Sequence, residues 1–416
     1  MTQVVVTGMG LISPAGRGLT DAWNGALSGK TGAAIDDDLV AMGTPVTICC
    51  RVPSFDPDEE LGRGASRRLD RFTHLAVIAA REALQHSGLV DGTDEEKITE
   101  AERDRVGVLL GSGIGGAETW ASEYPNYLEK GPKRTSPMFI PKMLSNTAAG
   151  TVAMRSGARG PNMTVNTACA AGASAIHIGR DLIRSGSADV VIAGGVEAGI
   201  TGLSVSAFAQ MGALSKSTDP NTASRPFDVD RNGFVIGEGS AVVILESEEH
   251  AVARGATMYA TVAGAGASAD AHHATAPPED GGGAILAIRR AVEVSGLDPT
   301  DIGHLNAHGT STPLNDAAES RALRAVFGDH TDDIVVTSTK GVTGHTLGAA
   351  GAIEAIFSIM ALREGLVPPT ANLVNQDPEI ELDVVSGSPR EVSLQAVLST
   401  SMGFGGQNAA LVFTPA

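Results

Sequence analysis

Val4-Val5-Val6-Thr7-Gly8-Met9-Gly10 opens the chain as a buried, β-branched strand that runs into a glycine turn. Ala260–Ala263 followed by Gly264 and Gly266 repeats that pattern in the second part of the sequence. Working outward, strands are expected at Val106–Leu110, Asp189–Ala193, Ala241–Glu246, Ile302–Asn306 and Ala409–Phe413. Helices are expected at Thr20–Leu27, Arg71–Ser87 (closed by Gly88), Gly282–Ser295, Asp316–Phe327 and Thr346–Arg363. Strands that alternate with helices imply an α/β protein with mostly parallel sheets covered on both faces. Two such cycles imply an internal duplication with a join near residues 250–260, giving halves 1–255 and 256–416.

Composition narrows the class. With 416 residues, at roughly 150 per domain, two or three domains and a large core are expected. Aromatics are only 4% while glycines number 51, which suits elements packed closely through small side chains. A formal net charge of −18 argues against a nucleic-acid-binding face. No apolar run approaches the roughly 18 residues of a membrane span, and the start lacks the pattern of a signal peptide. The three cysteines, Cys49, Cys50 and Cys169, form no disulfide framework, so a cytoplasmic location is expected.

Chemistry concentrates in three segments. In Thr164-Val165-Asn166-Thr167-Ala168-Cys169-Ala170-Ala171-Gly172 a β-branched run meets a cysteine and then a small-residue helix reaching Arg184. Cys169 is thus expected at a helix N-terminus, where the dipole favours a thiolate and lowers the thiol pKa. A lone buried cysteine is ordinarily structural. Its partners reverse that reading. His308 lies in a Gly/Thr turn after a short strand, where open α/β sheets place their sites. Lys340 and His345 flank a glycine-rich helix start, a place that favours a neutral imidazole. The third segment is the glycine turn Gly403-Phe404-Gly405-Gly406, able to move or to bring backbone N–H groups close to a ligand. His74, His86, His177, His250, His304 and His330 read as ordinary surface or core residues. Adjacent His272 and His273 have no third ligand spaced for a metal, and His273 is assigned instead to the substrate pocket. Gly111-Ser112-Gly113-Ile114-Gly115-Gly116 lacks dinucleotide-loop spacing. Asp228-Val229-Asp230-Arg231-Asn232-Gly233 opens like a calcium loop but has Gly239 at position twelve.

Taken together, T-A-C-A-A-G at 167–172, R-P-F-D-V-D-R-N-G-F at 225–234, N-A-H-G-T-S-T-P at 306–313, S-T-K-G-V-T-G-H-T-L-G-A-A-G at 338–351 and G-F-G-G-Q-N at 403–408 resemble the elongating β-ketoacyl-acyl-carrier-protein synthases over nearly the whole chain. The resemblance implies the thiolase fold, two similar halves in a layered α-β-α-β-α arrangement, usually dimeric. It implies that Cys169 accepts the acyl group, and that His308 and His345 hold the malonyl thioester carbonyl. Lys340 matches the lysine of the family's site, with Glu354 as its ion partner. The N–H groups of Cys169 and Phe404 form the oxyanion hole, and Phe404 is also a gate. Thr310 and Thr312 contact the pantetheine arm. Ile114, Phe139 and Phe208 line or cap the acyl pocket. The substrates ride on the phosphopantetheine arm of acyl-carrier protein, and no cofactor or metal is implied. Met402 replaces a common Phe beside the gate, and Gly212 replaces a common carrier-docking Arg. Docking then falls to the basic clusters Arg63, Arg67, Arg68 and Lys130, Lys133, Arg134. The expected reaction is condensation of acyl-Cys169 with malonyl-carrier in fatty-acid elongation. The alternative is the ketosynthase subunit of a type II polyketide synthase, paired with a chain-length-factor-like homologue. A priming synthase would show Asn in place of His345, and a degradative thiolase would carry a second cysteine after Cys169.

Overall fold

The computed structural model describes residues 2–90, 96–100 and 102–416. The first half runs β1 (Val4–Ser13), α1 (Arg71–Ser87), β2 (Val106–Gly111), α2 (Thr147–Ser156), β3 (Asn162–Val165), α3 (Ala171–Arg184), β4 (Val190–Glu197) and β5 (Gly239–Ser247). The second half repeats the order as β6 (Ala260–Ala269), α4 (Gly282–Ser295), β7 (Ile302–Asn306), α5 (Pro313–Phe327), β8 (Val335–Thr337) and α6 (Ala350–Glu364). A short extra strand β9 (Asp383–Val384) precedes its closing hairpin, β10 (Ala396–Gly403) and β11 (Gln407–Thr414).

Pairing repeats as well. The first sheet runs β3-β2-β4-β5-β1 and the second β8-β7-β10-β11-β6, with β9 added outside β8. In each, the two outer pairings are parallel and the two next to the join are antiparallel. The sheets meet along β1 and β6, through Val5–Thr261 and Val6–Ala260.

The expected glycine turn after Val6 is not there, because β1 continues through Gly8 and Gly10 to Ser13. These glycines let a helix lie on the strand. A Cβ on Gly8 would sit 2.4 Å from the Ala83 carbonyl oxygen of α1, and one on Gly10 2.3 Å from that of Ala79. Gly264 and Gly266 on β6 stand in the same relation to Ala291 and Ala287 of α4, at 2.0 and 2.1 Å. The repeated motif is therefore a close strand–helix contact.

Alternation along each strand builds the layers. Val108 and Leu110 face a core with Leu75, Ala79 and Val152 of α1 and α2, while Leu109 faces inward. Leu305, Val336 and Val412 meet Ile288 of α4 and Leu323 of α5 on the other outer face. Between the sheets α3 and α6 lie back to back. The Gly172 Cβ position is 2.9 Å from the Ala352 nitrogen, and that of Gly351 is 2.8 Å from Ala173 Cβ. Helix α6 is apolar and buried almost all round, as a central-layer helix must be. The result is the layered α-β-α-β-α thiolase fold. Among the described residues, no helix is long and apolar enough to cross a membrane.

Candidate active site

The strand ends of both halves converge on one cavity of about 450 Å³. After β3, Ala168 takes φ 47° and turns the chain through Ala168–Ala170 into α3. Leu347, at φ 50°, does the same before α6. That left-handed residue is why α6 starts at Ala350, later than the expected Thr346. Cys169 sits in the first of these turns, 7% exposed, at the cavity wall.

Burial pushes the Cys169 thiol up to about 11, against the N–H groups of Phe404 and Cys169 itself and the charge of Lys340. The helix start was expected to lower this pKa. Desolvation of a thiolate in an apolar pocket outweighs it. Both N–H groups thus lie beside the sulfur.

His308 follows β7 and is clamped from behind by Glu319 of α5. The His308 N–H donates to Glu319 Oε1 at 2.8 Å and the Gly309 N–H to Oε2 at 2.8 Å. The Thr400 hydroxyl donates to Oε1 at 2.7 Å and receives a second bond from the His308 N–H at 3.2 Å. Lys340, 1% exposed, places Nζ 3.4 Å from His308 Nδ1 and pairs on its other side with Glu354 of α6. Burial raises the Glu354 carboxyl to about 7, with Lys340 opposing. The His345 N–H donates to the Val235 carbonyl at 2.7 Å, and its carbonyl accepts from the Gly237 N–H at 2.9 Å. Its ring stands edge-on to that of His308, with centroids 5.3 Å apart at 85°. Burial first, then the Lys340 charge, drives both imidazoles well below their usual pKa, so both rings are neutral at pH 7.

Of the other residues assigned from sequence, Ile114, Phe208, Thr310, Thr312 and Phe404 line the cavity, as do Met402 and Gly212. The Thr310 and Thr312 hydroxyls lie 2.9 Å apart. Two assignments are corrected. Phe139 is outside this cavity, packed edge-on against Trp120 at 5.0 Å, because its helix Phe139–Met143 lies against the helix Ala117–Lys130. His273 does not line the pocket either. Its exposed ring accepts N–H bonds from Thr275 (3.1 Å) and Ala276 (3.2 Å), and so holds the Thr275–Pro277 segment that does. The docking candidates Arg63, Arg67, Arg68, Lys130, Lys133 and Arg134 are all exposed. Among the described residues, no cluster of three His, Cys, Asp or Glu side chains could hold a metal ion.

Glu197 and Glu319 escaped the sequence reading. For Glu319 a signal existed: it shares the buried face of α5 with Ala318, Ala322 and Leu323, where an acid needs a partner.

A nucleophile turn, two neutral histidines and a buried lysine at the joint of two duplicated sheets define a condensing enzyme of the thiolase fold. Residues 1–251 match the beta-ketoacyl synthase N-terminal domain and residues 259–374 its C-terminal domain. The chain belongs to the beta-ketoacyl synthase family and is an acyltransferase. It is 46% identical over 412 residues to a 3-oxoacyl-[acyl-carrier-protein] synthase 2 of Synechocystis sp., covering 99% of this chain and 97% of that one. The solved ishigamide ketosynthase/chain length factor superposes with a TM-score of 0.92 at 33% identity, over 100% of this chain and 99% of the other. A type II PKS acyl-carrier protein in complex with its ketosynthase bound to the hexaketide aligns at TM-score 0.88 and 30% identity, over 100% and 99%.

Proposed function

We propose that the protein lengthens an acyl chain on Cys169 by a two-carbon unit from malonyl-acyl-carrier protein, in fatty-acid elongation. The observation that carries this reading is the convergence of Cys169, His308 and His345 on one cavity with Lys340 behind them. Cys169 sulfur attacks the acyl thioester of the first carrier, whose pantetheine sulfur leaves with the proton. The malonyl unit then enters. Its C–C bond to the carboxylate breaks, CO2 leaves, and the electron pair becomes an enolate held by N–H groups of the two neutral imidazoles. The enolate carbon attacks acyl-Cys169. The tetrahedral oxyanion is held by the Cys169 and Phe404 N–H groups, and the thiolate departs to leave a 3-oxoacyl carrier. Decarboxylation supplies the carbanion, so no base is needed and no cofactor is called for. Two acyl transfers in turn make the kinetics ping-pong.

The partner is acyl-carrier protein, docked on Arg63, Arg67, Arg68 and on Lys130, Lys133, Arg134, whose exposed positive charge suits an acidic carrier. The enzyme works in the cytoplasm, and its halves divide at residues 255 and 256. It pairs with a second copy across an apolar face around Trp120, Tyr124 and Leu203, the last 72% exposed. Phe139 stands on Trp120 at that face, where a second copy would meet it.

The second reading is a polyketide ketosynthase paired with a homologous chain-length factor. The likeness to the ishigamide pair favours it, at 33% identity against 46% for the 3-oxoacyl synthase. Intact-mass spectrometry after incubation with acyl-carriers of graded length tests both. A mass gain absent from Cys169→Ala and discharged by malonyl-carrier supports elongation by this chain alone. No gain unless a homologous subunit is added overturns it in favour of the pair.

A further inference from the structure

Glu197 ends β4 inside the cavity, fully buried, and no Lys or Arg pairs with it among the described residues. Its oxygens are satisfied by donors alone. Oε2 accepts from the Gly113 N–H at 2.7 Å and the Gly348 N–H at 3.2 Å. Oε1 accepts from the Ser112 hydroxyl at 3.1 Å, the Ile114 N–H at 3.1 Å and the Gly115 N–H at 3.3 Å. Burial raises the Glu197 pKa, and the donors oppose it; a nest in which every partner donates favours the ionised carboxylate. The donors belong to two segments. Residues 112–115 follow β2 in the first half, and Gly348 belongs to the turn before α6 in the second.

Those segments carry Ile114 and Leu347, which line the cavity with Cys169. Both side-chain tips fold back against Gly199, where a Cβ would meet Ile114 Cδ1 at 3.2 Å and Leu347 Cδ1 at 3.3 Å. Donors held by Glu197 fix both segments, and so both tips, relative to Cys169; loosening either segment would let its wall shift.

We propose that Glu197 is a positioning residue whose carboxylate fastens the Ile114 and Leu347 walls beside Cys169, so that a long acyl chain, which must pass both walls, depends on it more than a short one. This rests on the reading of Cys169 as the acyl acceptor.

The test is acylation of Glu197→Gln by hexanoyl- and tetradecanoyl-carrier, followed by intact mass. Gln keeps the volume but turns an amide donor toward N–H groups. The expected result is a long-to-short rate ratio about tenfold below wild type, since each orphaned N–H costs enough to loosen the segment. The charge gives a separate reading. Lys340 and Glu197 are the charges felt by the thiol, and His308 and His345 face it as neutral rings. Removing Glu197's charge moves the pH profile of Cys169 alkylation by iodoacetamide to lower pH, which loss of packing alone would not do. If the Gln variant does not fold, Ser112→Ala decides, because it removes one donor and no charge. It is expected to lower the ratio in the same direction, with the alkylation profile in place. An unchanged long-to-short ratio in the folded variant overturns the proposal, whatever happens to total activity. Acylation that persists in Cys169→Ala instead faults the nucleophile assignment.

Discussion

Lys340 Nζ lies 3.4 Å from His308 Nδ1, and both residues are buried. An ammonium has donors only, so Nδ1 must offer its lone pair and the ring proton resides on Nε2. Nε2 is the atom left to face the cavity. The same charge that fixes the tautomer also lowers the imidazole pKa, so His308 is held as a neutral donor. In the proposed reaction Lys340 would thus act on the carbonyl through His308, without needing to touch it.

Lys340→Met should separate that role from stability. It leaves Glu354 buried without its cation, at a cost of about 3–5 kcal/mol in urea unfolding. Decarboxylation of malonyl-carrier should fall about a hundredfold, the scale of losing one preorganised donor. Adding Glu354→Met replaces the pair by apolar volume and should restore most of the stability. The decarboxylation rate should stay low in the double variant, since the tautomer remains unfixed.

A thiol pushed up to about 11 predicts how Cys169 reacts in the resting enzyme. Below that pH the thiolate fraction grows tenfold per pH unit. The alkylation rate with iodoacetamide should therefore climb log-linearly through the range pH 7 to 9, with no plateau. A plateau near pH 7 would mean that the helix start dominates after all. Neither imidazole should give decarboxylation an acid inflection near 6.5, because both titrate well below it; a limb near 7 would belong to Glu354, raised there by burial, and should vanish in Glu354→Gln.

Legibility followed the range of the interaction. Cys169, His308, Lys340 and His345 stand in local motifs with distinctive neighbours, and the structure brings them to one place. The two-cycle architecture was readable because each strand–helix unit writes its own pattern of periodicity. The role of Gly8, Gly10, Gly264 and Gly266 was not, because a glycine turn and a helix laid on a strand leave the same letters. Glu197 and Glu319 were missed for a related reason. Their partners are backbone N–H groups, which carry no sequence identity, and those of Glu197 lie up to 151 positions away. Phe139 was placed by the resemblance and His273 by setting aside a metal site, and the packing of Trp120 and the N–H groups of Thr275 and Ala276 put both outside the cavity.

A last prediction concerns the pairing of β5 with β1 in the first sheet and has two opposed pH limbs. Glu246 of β5 is fully buried and takes bonds from the Thr7 hydroxyl of β1, from Arg254, and from His250 at 2.7 Å. Despite burial, these partners hold its pKa down to about 2. A depressed carboxyl stabilises the fold above its unfolded value near 4.5, and the gain is lost as pH falls toward 2. His250 has the opposite sign. The Glu246 carboxylate raises its pKa, so its contribution is full below 6.5 and fades as pH rises through the raised value. Glu246→Gln should remove both gains at once. The carboxyl part alone is about 3 kcal/mol, from a shift of roughly 2.5 units at 1.36 kcal/mol each. In urea unfolding across a pH series, the penalty should peak between about pH 5 and 6, where Glu246 is charged and His250 protonated. Above neutrality it should shrink by the His250 part and settle on the Arg254 part. Toward pH 2 it should vanish, because the wild-type carboxyl is then protonated as well. A penalty independent of pH would mean that the side chain stabilises the β5–β1 pairing by packing and not by charge.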